Sequence, residues 1–140
     1  MTRINVGIRP ENLPDELLLA ELREIKRLPW FKRNCKDKNS PSKFTLGKGH
    51  IKFFLPRLHY AKSRYELLKK EAEIRGFEVT DFSMNFNNLD LGEYWKPEEK
   101  DKELIIQRIS EKVMESKKIW WHYYRKRITK EEVIEKIREL

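Results

Sequence analysis

The sequence is poor in cysteine and histidine and has no long apolar run. A single cysteine, Cys35, excludes an intrachain disulfide and is typical of a reducing compartment. The three histidines, His50, His59 and His122, lie far apart and lack Cys/His ligand spacing, so no zinc site is predicted. No segment approaches the ~18–20 apolar residues of a membrane span, and no signal peptide is recognisable. We therefore expect a soluble, cytoplasmic protein with no membrane or metal partner.

The chain is rich in charge and in aromatic residues. Lysine and arginine number 31 against 23 aspartates and glutamates, for a formal net charge of +8, and 140 residues is the length of one domain. An excess of positive charge favours nucleic acid as the partner, although a merely solvated basic surface is the alternative. Aromatic residues, 11% of the chain, favour the first interpretation because nucleobases stack on them.

Apolar residues at helical spacing predict an all-α fold, a compact single-domain bundle with long loops. The predicted helices begin near Pro14, Pro56, Pro97 and Thr129. Asn12 is a possible cap for the first helix, and Pro29 ends or bends it. Thr129 and Glu132 have the spacing of a capping box at the last helix. The residues predicted to face the core are Leu18, Leu22, Ile25, Leu58, Ala61, Tyr65, Leu68, Ala72, Leu104, Ile105, Ile109, Val113, Val133, Ile134 and Ile137.

The segments between these helices have weaker patterns. Residues 30–43 and 77–99 are predicted to be loops because they are polar and contain few helix signals. Phe44–Leu55 is apolar but contains two glycines, which is compatible with a strand or with an ordered loop. Within it, Gly47-Lys48-Gly49 lacks the remaining residues of a nucleotide-binding P-loop. We interpret it as a tight turn, either beside a DNA duplex or purely structural.

The N-terminus offers a candidate nucleophile. Removal of Met1 would free the α-amine of Thr2, and a reference pKa of about 7.7–8.0 leaves part of such an amine neutral near pH 7. An amine that attacks carbon needs a carboxylate nearby to transfer protons, and Glu24 is the candidate. Arg23 and Arg27 could hold DNA phosphates, although a solvated, salt-bridged helix face is the alternative. Together these features suggest an enzyme that acts on DNA through its own N-terminus.

Five large rings follow one another at residues 120–124, between two basic segments. Aromatic residues usually fill a core, but five consecutive rings cannot all point inward. Rings placed against sugars or bases, with the flanking cations on phosphates, are the functional alternative. The sequence leaves both interpretations open.

These motifs resemble those of the pyrimidine-dimer DNA glycosylases, the ultraviolet-repair endonucleases first known from bacteriophage. The similar segments are Thr2–Asn5, Leu13–Arg27, Phe44–Phe54 (FTLGKGHIKFF), the second helix as far as Phe77, Gln107–Lys112 and Trp120–Ile128. The resemblance implies one glycosylase domain over residues 1–140, with the N-terminal segment packed between helices. Residues 129–140 form an extra C-terminal helix in this interpretation.

The resemblance also implies a reaction. The α-amine of Thr2 attacks C1′ of the 5′ sugar of a cyclobutane dimer, a Schiff base forms, and β-elimination cuts the strand. Glu24 matches the catalytic carboxylate. The implied DNA-binding residues are Arg3, Arg23, Arg27, His50, Arg108, Lys112, Trp120, Tyr123, Tyr124 and Lys126. The implied partner is double-stranded DNA with ultraviolet lesions, bound by a monomer without metal or cofactor, since the amine supplies the covalent chemistry.

Two other functions are compatible with the same residues. One is the same glycosylase and lyase chemistry on another damaged base, because the lesion pocket is shaped by loops. The other is a non-enzymatic DNA-binding protein that uses only the basic surface. Retention of Met1 would block the amine, and we expect little or no activity from such a protein.

Overall fold

Six helices and one hairpin surround a shared apolar core in the computed structural model, which describes residues 3–35 and 39–139. The helices are α1 (Asp15–Ile25), α2 (Leu28–Asn34), α3 (His50–Phe54), α4 (Leu58–Ile74), α5 (Glu99–Glu115) and α6 (Lys130–Arg138). Strands β1 (Trp121–Tyr123) and β2 (Lys126–Ile128) pair antiparallel. The fold is therefore mostly helical, as predicted, but the all-α prediction missed the hairpin. Among the described residues, no helix is both long and apolar enough to cross a membrane.

Helices α1 and α4 pack against each other at the centre of the core. The buried residues that they contribute include Leu18, Leu22, Ile25, Leu58, Ala61, Tyr65, Leu68 and Ala72, which confirms both predicted stripes. Each fully buried leucine or isoleucine stabilises the fold by about 1.5–3 kcal/mol relative to an exposed one. The predicted cap at Asn12 is wrong: Pro14 precedes α1, and the Asn12 side chain donates instead to the carbonyl of Glu139. Asn12 therefore links the segment before α1 to the residue that follows α6.

Two segments predicted as strand or loop contain helices. Phe44–Leu55 includes a 3-10 turn, Gly47–Gly49, followed by α3. The adjacent rings of Phe53 and Phe54 are both fully buried, which a half-exposed strand could not achieve because its side chains alternate between two faces. Pro29 lies in the first turn of α2, where a proline costs no hydrogen bond, so residues 28–34 are helical.

Helices α5 and α6 close the other side of the core. The buried face of α5 is Ile105, Ile106, Ile109 and Val113. Leu104, predicted inward, is 44% exposed, so this part of the predicted stripe is wrong by one position. The predicted capping box is confirmed, since the amide of Glu132 donates to Thr129 Oγ1 and the amide of Thr129 donates to the Glu132 carboxylate. The extra helix α6 covers core surface through Val133 and Ile137.

The hairpin turn is held by a carboxylate from α1. Its two central residues, Tyr124 and Arg125, have φ angles of 50° and 66°, a conformation that suits glycine or asparagine better. Asp15 compensates, because its carboxylate accepts hydrogen bonds from the backbone amides of both turn residues, at 3.2 and 2.8 Å. The N-terminal end of α1 therefore fixes the position of the aromatic segment.

Gly92 should be the glycine least tolerant of alanine. Its φ is +71°, and an added Cβ would lie 1.9 Å from the carbonyl oxygen of Pro56. Gly47 is the matched control, since it has a similar φ of +76° but open space around the added Cβ. We expect Gly47→Ala to cost about 1–2 kcal/mol of unfolding free energy from the left-handed backbone alone. Gly92→Ala should cost at least about 2 kcal/mol more, measured by urea denaturation, and equal losses would contradict this prediction.

Candidate active site

The N-terminal segment, residues 3–8, runs through the core between α1, α3 and α4. Its alternate side chains Ile4, Val6 and Ile8 are buried, which anchors the segment by apolar packing. Side chains of the surrounding helices bind its backbone, and the bound amides are those of Arg3, Ile4, Asn5 and Gly7. Chain termini are usually poorly ordered unless they are tied down in this way. The predicted position of this segment between helices agrees with the structure.

Among the helix side chains that bind the N-terminal segment, Glu24 contacts its first described residue, Arg3. The backbone amide of Arg3 donates to Oε2 of Glu24 at 2.8 Å, and this carboxylate is half-buried on α1. Thr2, the predicted nucleophile, lies outside the described residues. The structure therefore places the predicted carboxylate on the backbone of the residue that follows the predicted nucleophile.

One turn earlier on α1, Glu21 binds the segment from the interior. Its carboxylate accepts from the amide and the side chain of Asn5, at 3.1 and 3.0 Å, and forms a two-pronged ion pair with Arg64 of α4. The remaining guanidinium nitrogen, Nη1, donates to the carbonyl of Ile8 at 2.8 Å. Burial lowers the pKa of Arg64, but the charge of Glu21, the neighbouring Tyr60 and the hydrogen bonds to both together outweigh burial, so the net shift is upward. Both side chains of the ion pair are enclosed in the interior.

Sequence reasoning missed this ion pair, although one signal was present. Arg64 lies three residues after Ala61 and four before Leu68, so it falls on the apolar stripe of α4. An arginine on a buried helix face requires a buried carboxylate as its partner. Glu21 occupies the corresponding face of α1, among Leu18, Leu22 and Ile25.

A cleft with cationic walls opens beside Glu24. Its polar lining includes Arg3, Asn5, Arg108 and Lys112, and its volume is about 60 Å³. A wider groove continues from it past Arg3, Arg108 and Lys112 to Gly47. Four residues predicted from the sequence, Arg3, Glu24, Arg108 and Lys112, thus meet in one place.

The positively charged side chains that line this cleft repel one another. Nη2 of Arg108 donates to Oδ1 of Asn5 at 3.1 Å. Burial, and then the neighbouring charge of Arg3, lower the pKa of Arg108. Two cations that destabilise each other favour an anion between them. Glu21 and Glu24 also line the cleft and act on the pKa of Arg108 in the opposite direction, but the three cations outnumber the two carboxylates, which favours an anionic ligand.

Three other predicted DNA-binding residues lie outside this cleft. Arg23 and Arg27 are exposed, and Arg23 lines a separate pocket with Lys26 and Phe82. His50 is 1% exposed, so the prediction that it contacts DNA is wrong. It instead accepts a hydrogen bond from the amide of Ile4. In the sequence, His50 follows Gly49 and precedes apolar residues. This pattern does not tell a surface histidine from a buried one.

The aromatic segment divides between two locations. Trp121 lines the Glu24 cleft, and its buried indole N–H has no hydrogen-bond partner in the described part of the chain. The sequence analysis did not single out this residue. Trp120 is 45% exposed, with the guanidinium of Arg127 5.7 Å from its ring. Lys126 is exposed on β2.

The two tyrosines are engaged elsewhere in the fold. The hydroxyl of Tyr123 donates to the carbonyl of Glu11, and that of Tyr124 donates to the carboxylate of Glu71, each at 2.7 Å. Both rings contact the guanidinium of Arg75. These contacts lie at the N-terminal end of α1, about 13 Å along its axis from Glu24. The structure therefore does not bring the two tyrosines into the cleft.

A cleft that holds three cations and the carboxylates of Glu21 and Glu24, on a small mainly helical domain, is suited to an enzyme that acts on nucleic acid. The family model for pyrimidine dimer DNA glycosylase matches residues 1–85 of the chain. The chain belongs to the pyrimidine dimer DNA glycosylase family, which confirms the resemblance and makes it a DNA repair glycosylase. The matched span includes Arg3 and Glu24, whereas Arg108 and Lys112 lie beyond it.

Proposed function

We propose that this glycosylase excises cyclobutane pyrimidine dimers from double-stranded DNA and then cuts the strand by β-elimination. The α-amine of Thr2 is the proposed nucleophile, and a Schiff base on that amine is the proposed intermediate. The observation that carries the proposal is the 2.8 Å hydrogen bond between the amide of Arg3 and the carboxylate of Glu24.

Covalent geometry supports this pairing of amine and carboxylate. Thr2 lies outside the described residues, but its amine is only three covalent bonds from the amide nitrogen of Arg3. Standard bond lengths and angles keep two such nitrogens within about 4 Å of each other. Because Glu24 contacts the second nitrogen at 2.8 Å, covalent geometry limits the first to within about 7 Å of this carboxylate. In the proposal, protons pass between them directly or through water.

The chemistry requires an anion at this position. The amine lone pair attacks C1′ and the pyrimidine leaves with the electrons of the glycosidic bond. The attacking nitrogen then loses one proton, and the C1′–O4′ bond breaks as O4′ gains a proton, which opens the sugar to the protonated imine. Loss of a C2′ proton expels the 3′ phosphate. Glu24 is suited to stabilise positive charge on the sugar and to accept protons in these steps.

The cations of the cleft support DNA as the ligand. Arg3, Arg108 and Lys112 line the cleft and the groove beyond it, where phosphates would relieve their mutual repulsion. Arg23, Arg27 and Trp120 are exposed and would extend the contact along the duplex. We propose that a monomer suffices, since one chain supplies the carboxylate and the cations. The amine makes an organic cofactor or metal unnecessary.

Borohydride trapping tests the proposal directly. Protein from which Met1 has been removed should form a covalent adduct with an ultraviolet-irradiated duplex, because borohydride reduces an imine to a stable amine. Protein carrying an N-terminal extension has no free amine at Thr2 and should form none.

A plain abasic duplex separates the two steps of the reaction. An adduct with abasic DNA but not with irradiated DNA would preserve the lyase step and point to another damaged base. Adducts of equal yield from both protein forms would exclude the Thr2 amine as the nucleophile. No adduct with either duplex would leave a basic DNA-binding protein.

A further inference from the structure

His50 is a buried histidine with two defined hydrogen bonds. Nε2 accepts from the backbone amide of Ile4 at 2.8 Å, and Nδ1 lies 3.0 Å from the carbonyl of Thr45. An amide can only donate and a carbonyl can only accept, so the proton must reside on Nδ1. The rings of Phe44 and Phe54 pack edge-on against the imidazole at 5.6 and 5.2 Å and fix its plane.

This arrangement tolerates only the neutral imidazole. A protonated ring carries N–H groups at both nitrogens, so Nε2 could no longer accept the amide of Ile4. The hydrogen bond is therefore present or absent according to one proton.

The surroundings keep the ring neutral near pH 7. Burial is the main cause that lowers the pKa of His50 to about 4. The positive charges of Arg108 on α5 and Arg3 on the segment lower this pKa further. The carbonyl of Thr45 and the charge of Glu21 on α1 act in the opposite direction, but they are outweighed.

We propose that His50 is a positioning residue that holds the N-terminal segment against Glu24 through the hydrogen bond from Ile4. The proposal rests on the reaction of the Thr2 amine proposed above. The amides of Arg3 and Ile4 are consecutive and are bound by Glu24 and His50, respectively. These two hydrogen bonds fix the direction in which the chain leaves towards its reactive end. A displacement of about 1 Å at a reacting atom can cost roughly 100-fold in rate.

Two substitutions separate positioning from packing. His50→Phe retains a flat ring among the neighbouring phenylalanines but removes the acceptor. His50→Gln retains an acceptor oxygen near the position of Nε2 and removes the titration. We expect single-turnover trapping on an abasic duplex at pH 7 to be about 10- to 100-fold slower for His50→Phe. His50→Gln should trap within about 5-fold of wild type, and DNA affinity should change less than 2-fold for both.

The pH profile supplies a readout that a purely structural role would not change. Protonation of the amine and of carboxylates affects wild type and His50→Gln alike, so it cancels in the ratio of their trapping rates. The ratio of the wild-type rate to the His50→Gln rate should stay constant above about pH 5 and fall as the pH drops through about 4, because only folded wild type protonates His50 there. Circular dichroism at each pH verifies folding. This control is necessary because the stability that neutral His50 contributes is complete above pH 6.5 and declines towards pH 4.

Each outcome decides the proposal. Wild-type trapping rates in His50→Phe, or a ratio that stays flat with pH, would overturn it. If His50→Phe does not fold, the ratio with His50→Gln decides alone. Absence of any adduct with processed wild-type protein would instead contradict the proposed function, and the role of His50 with it.

Discussion

Glu24→Gln should abolish nearly all strand cutting while DNA binding persists. The amide oxygen of glutamine can still accept the hydrogen bond from Arg3, so the N-terminal segment should stay in place. The variant lacks the negative charge that stabilises the sugar cation and the base that accepts protons. General acid–base groups contribute about 10²–10⁴-fold to rate, and we expect a loss of that size in single-turnover cutting of an irradiated duplex. Affinity for the duplex should be unchanged or higher, because an anion has left a cationic cleft.

Glu66→Gln is the matched control for this experiment. It makes the same change of charge at an exposed position on α4, outside the cleft. It should cut at the wild-type rate, so that a loss specific to Glu24 reflects the site and not the net charge. Full cutting by Glu24→Gln would contradict the assignment of this carboxylate. A protein that only binds DNA would show no difference between the two variants.

Helical periodicity correctly predicted α1 and α4, whose apolar residues repeat regularly. The stripes of α1 and α4 are regular, long and apolar, so spacing alone located the central helix pair. The segment Phe44–Leu55 is short, and a short apolar run has no period long enough to separate helix from strand. The hairpin was missed because its turn residues are Tyr124 and Arg125, which carry none of the usual turn chemistry. The carboxylate that supports this turn comes from Asp15, more than a hundred residues away.

The residues of the candidate site were predicted from family motifs. The side chains that hold the N-terminal segment in place were not predicted. Arg3, Glu24, Arg108 and Lys112 were recognised by resemblance, and the structure brings them together. The contacts of the N-terminal segment come from side chains of four helices, α1, α3, α4 and α5, which no local pattern reveals. The same limit applies to Tyr123, which was predicted as a DNA-binding ring, because no local pattern revealed that its hydroxyl donates to the backbone carbonyl of Glu11.

Arg64→Met should be among the most destabilising single substitutions in the fold. Arg64 is 5% exposed, and its replacement leaves the carboxylate of Glu21 enclosed, with Asn5 as its remaining donor within the described part of the chain. Removing one partner of a buried ion pair typically costs about 3–5 kcal/mol, because the other charge remains without compensation. That is a fifth or more of the roughly 5–15 kcal/mol that stabilises a typical domain. Urea denaturation followed by circular dichroism would measure the loss.

Lys69→Met is the control, because Lys69 and Glu73 form an ion pair on the exposed side of the same helix, at 2.8 Å. Exposed pairs contribute about 0–1 kcal/mol, so this substitution should change little. The double substitution Glu21→Gln with Arg64→Met should recover part of the loss, since it removes the enclosed charge. Equal losses from Arg64→Met and Lys69→Met would contradict the prediction. A recovered stability without recovered trapping would show that the ion pair serves the N-terminal segment as well as the core, because Glu21 binds Asn5 directly.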